Sequence, residues 1–375
     1  MARTPSLFRH IDRIAGIPVV ATLGATRQRR ALPMAPARIG VLQPTALGDA
    51  VLSSGVVARL AKAHPEASLT VLHGKSNASA MGLIDAPFTA KQIAFNRPHL
   101  DIPAIRQENF DLVVDLTPWP RLTAIYAAVS GAVSVGFDSE NQARAAAFDV
   151  PAPHSCTVHE IINFAGMADL LTGPAAYTTA IRQDLAPPER PLPYEQLVLC
   201  HPCGGGSQAA NRHWPPARWG ELIRALTAEG FVVGITGGPP DATYAEAMLE
   251  AAGVAPDQAF SLCGAIKFGE LAAVIQRSRL VVSIDTGVLH LAAAMNAPIV
   301  AVHGPSKAER WGPAPGSRAI AVMSPHPDAG YVRFGFETRP TGPEIMPALP
   351  ATPVIAAART LLATEPPAIA LALAR

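Results

Sequence analysis

The chain has 375 residues, 49% of them hydrophobic and 16% charged, with a formal net charge of +1. That length suits two domains of ordinary size, the composition excludes a disordered chain, and the near-neutral balance gives no case for nucleic acid. The charge is unevenly placed, however, because up to Arg38 seven arginines stand against one acid, Asp12.

Residues 1–37 read as a basic extension around the apolar run "IAGIPVVATLGA". The run is too short to span a bilayer and is followed by no small-residue cleavage site. A basic, apolar segment suits contact with an anionic membrane surface; a disordered or packed extension is the other reading. From Arg38, "RIGVLQ" reads as a buried strand, "PTALGD" as a turn and "AVLSSGVVARLAKAHP" as a helix. "SLTVLH", "FDLVVDL", a helical stretch near Leu122–Val129 and "VSVGF" complete a first block, 38–185. Four prolines within Ala186–Gln196 mark a linker.

The rhythm restarts over 197–350 with "LVLCHP", a glycine-rich loop and a helix opened by Pro215 and Pro216. "FVVGITGG", a helix from about Asp241, another near Phe268–Gln276, "RLVVSIDTG", a helix and "PIVAVHG" follow. Residues 314–350 carry little pattern, and 351–375 hold a terminal helix, "VIAAARTLLA", and a tail. Continuous apolar strands alternating with helices predict two Rossmann-like domains whose parallel sheets face an interdomain cleft.

Three loops could carry chemistry. In "SIDTGVLH", Gly287 permits close backbone approach, and the helix that follows offers unpaired N–H groups to an anion. Thr286 adds a hydroxyl, and His290 lies one turn inside; the alternative makes Asp285 or Thr286 a helix cap and His290 an interior residue. In "HPCGGGSQAANRHWPP", three glycines leave the backbone free to wrap a phosphate, with Ser207 and Arg212 as donors, unless this is only a flexible loop. In "TALGDAVLSSG", Asp49 stands at a helix start, where it can serve as general base or simply as a cap. Neither a GxGxxG after the first strand nor a P-loop motif occurs, which counts against dehydrogenases and P-loop NTPases. The four cysteines make no disulfide framework, and the single CxxC (Cys200, Cys203) suits buried small residues better than a redox pair or half a zinc site.

Four stretches together resemble the successive signatures of glycosyltransferase family 9, the bacterial lipopolysaccharide heptosyltransferases. They are "ALGDAVLSSGVVARLAKAHPEASLTVL", "FDLVVDLTPWPRLTAIYAAVSGAVSVGFD", "NRHWPPARWGELIRAL" and "SRLVVSIDTGVLHLAAAMNAPIVAVHGPS", in order within residues 38–313. The resemblance implies the GT-B fold, with an acceptor domain first and a donor domain second. It implies inverting, metal-independent transfer without a cofactor, typically from ADP-heptose. Asp49 then falls on the catalytic aspartate, Arg212 on a basic residue that is usually lysine, and Asp285, Thr286, Gly287 and His290 on the Asp-Thr-Gly-x-x-His motif. Ser207 is a looser match to a phosphate-binding hydroxyl, and Asp241 to an acidic ribose contact. Arg59 and Arg121 are assigned to the acceptor.

On this reading a nucleotide-sugar donor and a lipid-linked saccharide acceptor meet in the cytoplasm, with peripheral contact at the inner face of the cytoplasmic membrane. The chain departs from the family at Gln43-Pro44-Thr45-Ala46-Leu47, where an Arg and a Ser-Ser pair are usual, and at Cys203, where a small residue is common. A nucleotide-sugar epimerase or a non-catalytic nucleotide-sugar binder on the same fold are the rival readings.

Overall fold

A strand that is apolar along its whole length must be covered on both faces, and here helices supply that cover over two sheets. The computed structural model describes residues 6–205, 209–333, 337 and 344–363, without the side chains of 6–11 and 13. The chain divides into two compact units at Ile181/Arg182. The proline-rich interval 186–196 therefore falls at the start of the second unit.

The first unit runs α1 (Ser6–Thr26), β1 (Arg38–Gln43), α2 (Leu47–Leu52), α3 (Ser54–Ala63), β2 (Ser68–His73), α4 (Ala78–Met81) and β3 (Thr89–Gln92). It continues through α5 (Pro98–Gln107), β4 (Leu112–Asp115), α6 (Arg121–Val129), β5 (Val133–Ser139), β6 (Val150–His154) and α7 (Glu160–Thr172). The second unit opens with β7 (Leu197–His201), α8 (Pro216–Ala228), β8 (Val232–Ile235), α9 (Ala242–Ala252), β9 (Ala259–Ser261) and α10 (Phe268–Arg277). It ends with β10 (Leu280–Ile284), α11 (Gly287–Ala294), β11 (Ile299–His303), α12 (Ala308–Trp311), β12 (Ala319–Met323) and α13 (Ala351–Leu362).

The sheets run β3-β2-β1-β4-β5-β6 and β12-β11-β10-β7-β8-β9. Every neighbouring pair of strands is parallel. Counted from its own first strand, each sheet has the order 3-2-1-4-5-6, the Rossmann arrangement. The winding reverses between β1 and β4 in the first unit and between β7 and β10 in the second. Loops leaving the carboxyl ends of those strands are where such sheets take ligands.

Separate cores lie under the two sheets. The first packs Val20, Leu42, Val113, Tyr126 and Phe148; the second packs Trp214, Trp219, Val282, Val300 and Leu361.

Three features go beyond the sequence reading. The single helix predicted from Ala50 is two, and it begins earlier, so Gly48 and Asp49 already lie in the first turn of α2. Two consecutive serines stand at the break: Ser53 Oγ donates to Asp49 O at 2.7 Å, beside the Ser53 N–H at 2.8 Å, and Ser54 Oγ donates to Val51 O at 2.6 Å. Residues 1–37, expected as an extension, include a 21-residue helix that packs on α6. The weakly patterned stretch after Gly312 holds β12, the half-buried edge strand of the second sheet.

Candidate active site

The second switch point gathers most of the residues singled out in the sequence. β7 ends at His201 and leads into the glycine-rich loop; β10 ends at Ile284 and hands over through Asp285 and Thr286 to α11. Arg212 ties these two loops together. Its Nη1 donates to the Asp285 carbonyl at 3.0 Å and lies 3.6 Å from the carboxylate, while Nη2 donates to Gly205 O at 2.8 Å. Its Nε is buried and finds no partner among the described residues. Glycine at 204 matters because a Cβ there would sit 3.1 Å from Thr286 Cγ2 and 3.5 Å from Arg212 Nη2, crowding the joint.

Below this loop the backbone is anchored firmly. Trp214 and Trp219 meet edge to face at 5.1 Å, and Trp214 Nε1 donates to Leu349 O at 2.8 Å. Pro216 is the first residue of α8, where its fixed φ suits the helix and its missing N–H costs nothing.

Thr286 is the N-cap residue of α11, but its side chain makes no capping bond; its hydroxyl is 3.3 Å from Ser283 Oγ. In the first turn of α11 Leu289 N donates to Thr286 O at 3.2 Å, while the N–H groups of Gly287 and Val288 precede the first intrahelical bond and lie at the positive end of the helix dipole. Burial alone would raise the Asp285 carboxyl. The Arg212 guanidinium, then His303 and His290, and a Ser306 hydroxyl outweigh it and hold the group below the usual carboxylate range. A cation, a carboxylate that stays ionised and a helix start thus share one loop pair, an arrangement suited to a diphosphate with a polar group attached.

Asp241 lies in the neighbouring loop, after β8, and accepts from Gly238 N at 2.8 Å. Its charge reaches His201, His213 and Cys203, all of which border the glycine-rich loop. Ser207 lies outside the described residues. Cys200 belongs to the second core, and burial pushes its thiol up to about 12, as it does that of Cys203.

The first switch point holds Asp49. This residue is half-buried in the first turn of α2, three residues into the helix, and one carboxylate oxygen accepts from Ala46 N at 3.3 Å. Beneath it, Gln43, the last residue of β1, donates to Ser53 Oγ, which reaches back to Asp49 O. The two arginines assigned to the acceptor are occupied within the unit. Arg59 pairs with Asp169 at 2.7 Å and bonds Thr172 and Gly173 O, fastening α3 to α7. Arg121 is buried at the start of α6 and pairs with Asp12 of α1 at 3.2 Å.

Sequence reasoning missed two parts of these sites. His303, the last residue of β11, and Ser306 just beyond it stand behind Asp285, with His303 Nδ1 3.3 Å from Ser306 Oγ. Asp115, the last residue of β4, is paired with Arg144, and both are fully buried.

The model of glycosyltransferase family 9 (heptosyltransferase) matches residues 102–330. The chain is 24% identical over 289 residues to lipopolysaccharide heptosyltransferase 3 of Escherichia coli, covering 71% of this chain and 83% of the relative. Lipopolysaccharide heptosyltransferase 1 of Pseudomonas aeruginosa is 34% identical over 129 residues, 33% of this chain and 32% of that protein. Among solved structures, a family 9 glycosyltransferase from Veillonella parvula has a TM-score of 0.69 at 19% identity, covering 90% of this chain and all of that one (100%). The Escherichia coli heptosyltransferase WaaC with ADP has a TM-score of 0.65 at 17% identity, covering 86% and 99%. The structural likenesses carry the fold, which is that of GT-B heptosyltransferases.

Proposed function

The chain belongs to glycosyltransferase family 9, the heptosyltransferase family, and from that premise we propose that it moves heptose from ADP-heptose to a lipid-linked saccharide in lipopolysaccharide or related cell-envelope assembly. The transfer inverts the anomeric centre and uses no divalent metal. The observation that carries this reading is Arg212 locked between the glycine-rich loop and the start of α11, a ready diphosphate cradle. A relative crystallised with ADP supports the choice of nucleotide.

The second unit holds the donor. Arg212 and the first N–H groups of α11 take the charge that develops on ADP as its bond to the anomeric carbon breaks. Each well-placed donor in such a site is worth about 3 kcal/mol. Asp285 accepts from a donor-sugar hydroxyl, and Asp241 from the ribose. In the first unit, Asp49 removes the acceptor hydroxyl's proton as that oxygen attacks the face opposite ADP. Asp49 acts through its placement in the first turn of α2.

The test is transfer from ADP-heptose to a lipid-linked saccharide acceptor in excess EDTA, with the product anomer read by NMR. Full activity in EDTA and an inverted anomer are expected. Loss of activity that magnesium or manganese restores, or retention of configuration, would sink the proposal.

A further inference from the structure

The helix α1 is apolar on both faces, and only one of them is covered. The inner stripe is fixed at each end by polar contacts. Asp12 accepts from Arg121 N and Leu122 N, both at 3.0 Å, and so caps α6, whose own N-cap position is Pro120. Just beyond the other end, Arg27 and Arg30 close on the buried Asp149. Between these anchors the helix lies close to its neighbours: a Cβ at Gly16 would be 3.0 Å from Arg121 Cβ, and one at Gly24 2.7 Å from the Ala146 methyl. Val20 is fully buried on the same stripe. The helix therefore cannot roll to hide its other side.

That other side is a run of apolar residues in water. Ile14 is 72% exposed, Ile17 36% and Val19 43%, and Ala15, Pro18, Ala21 and Ala25 are exposed beside them. No charged residue falls between Arg13 and Arg27. The charge around the strip is positive. Its single acid up to Arg38, Asp12, is spent on α6. On α5, which packs on α6 from the same side of the sheet, Arg106 and the 54%-exposed Leu100 face solvent, with Arg97 exposed just before the helix. Among the described residues no helix is long and apolar enough to cross a membrane.

We propose that the outer face of α1 docks the first unit on an anionic membrane surface, the helix lying flat with Ile14, Ile17 and Val19 among the lipid chains. Apolar side chains supply insertion and the arginines supply attraction to anionic headgroups. A second copy of the chain is a poor occupant, because two such faces would bring like charges together. The inference goes beyond the sugar chemistry and is read without any donor, so its failure and that of the transferase reading are separate events.

The test uses the full chain with vesicles of phosphatidylcholine and of phosphatidylcholine mixed with phosphatidylglycerol. Co-sedimentation with the mixed vesicles is expected, weakened in high salt as surface charge is screened. In the triple variant Ile14→Ser, Ile17→Ser, Val19→Ser the partition coefficient should fall by at least about tenfold. Because Ile17 and Val19 are more than half covered, the melting temperature of the triple variant is measured beside partition, and Ile14→Ser alone, at the most exposed position, should lower partition in the same direction with the wild-type melting temperature. A Trp placed at Ile17 should be quenched by brominated lipid. Equal partition of wild type and triple variant, or no binding to mixed vesicles, overturns the proposal. So does a wild-type dimer that the triple variant dissolves, since the face would then be covered by its own copy.

Discussion

The two switch points share a topology and each holds an Arg–Asp pair, yet the pairs are solved in opposite ways. In the first unit Arg144 and Asp115 are both 0% exposed. Arg144 also bonds Thr117 O and Pro120 O and stacks on Phe148, so its donors are consumed inside the protein. Asp115 takes Thr117 N and Oγ1 as well. In the second unit Arg212 and Asp285 are 11% and 14% exposed, the contact is a looser 3.6 Å, and the Arg212 Nε is unpaired among the described residues. A sealed pair holds a fold; an open pair at the same topological position can exchange a partner for a ligand. The first unit has a second, half-buried carboxylate at its switch point, Asp49.

The largest effect should come from Asp49. Asp49→Asn keeps the shape of the α2 turn and removes only the proton acceptor, so turnover should fall by roughly 10²–10⁴ while ADP affinity stays near wild type. Normal turnover would reduce Asp49 to a helix-end residue and leave the first switch point without chemistry. Next comes the sealed pair. Arg144→Met strands a buried carboxylate and should cost about 3–5 kcal/mol of stability, much of it regained when Asp115→Leu is added. Chemical denaturation of both variants measures this. An Arg144→Met protein with wild-type stability and lost transfer would break the comparison, because the pair would then be functional.

How much of this the sequence could show depends on range. Asp49 and Asp285 were legible because each sits where an apolar strand meets a glycine-containing turn, and Arg212 because it stands between a glycine-rich loop and a proline-opened helix, both local signals. Arg59 and Arg121 were visible as cations, but their partners Asp169 and Asp12 lie 110 and 109 residues away, and no local pattern marks such a contact. Arg144 sits in "NQARAAAFDV", which has no periodicity to betray a buried charge. His303 ends an apolar strand and looks like core. The edge strands β3 and β12 are only partly buried, so neither "TAKQ" nor "AIAVM" stands out as a continuous buried strand. The helix α1 is apolar on its packed and its exposed side alike, so the amphipathic rhythm that would announce it is absent.

A smaller effect tests the open pair directly. Arg212→Ala should weaken ADP binding by about 1.5–3 kcal/mol, the range for a hydrogen bond to a charged group, with little change in stability. Calorimetric titration reads it. Unchanged ADP affinity would move the donor away from the second switch point. A large loss of stability would make Arg212 a second Arg144.

The smallest effect concerns the residues that end the two central strands. β1 ends in Gln43, which does not titrate, and β7 ends in His201, which does. Burial pulls the His201 imidazole down to about 4, against the opposing pull of Asp241 and its bonds near Thr236 and Cys203. Its Nδ1 is 2.9 Å from Thr236 Oγ1, so the neutral ring is held in place. The sign follows from proton counting. Below the unfolded value of about 6.5 the unfolded chain takes up a proton that the folded ring refuses, so stability falls as pH drops from 6.5 towards 4. Above 6.5 both states are neutral and the group contributes no slope. By pH 5.5 the loss from this one ring should be about 1.4 kcal/mol. His201→Gln keeps a hydrogen-bonding side chain without that titration, so the stability gap between wild type and variant should shift in the variant's favour by that amount between pH 7.5 and 5.5. A gap that does not move with pH would mean that His201 is protonated in the folded protein, a cation beside Arg212's loop, and the second switch point would then be more positive than its open pair alone makes it.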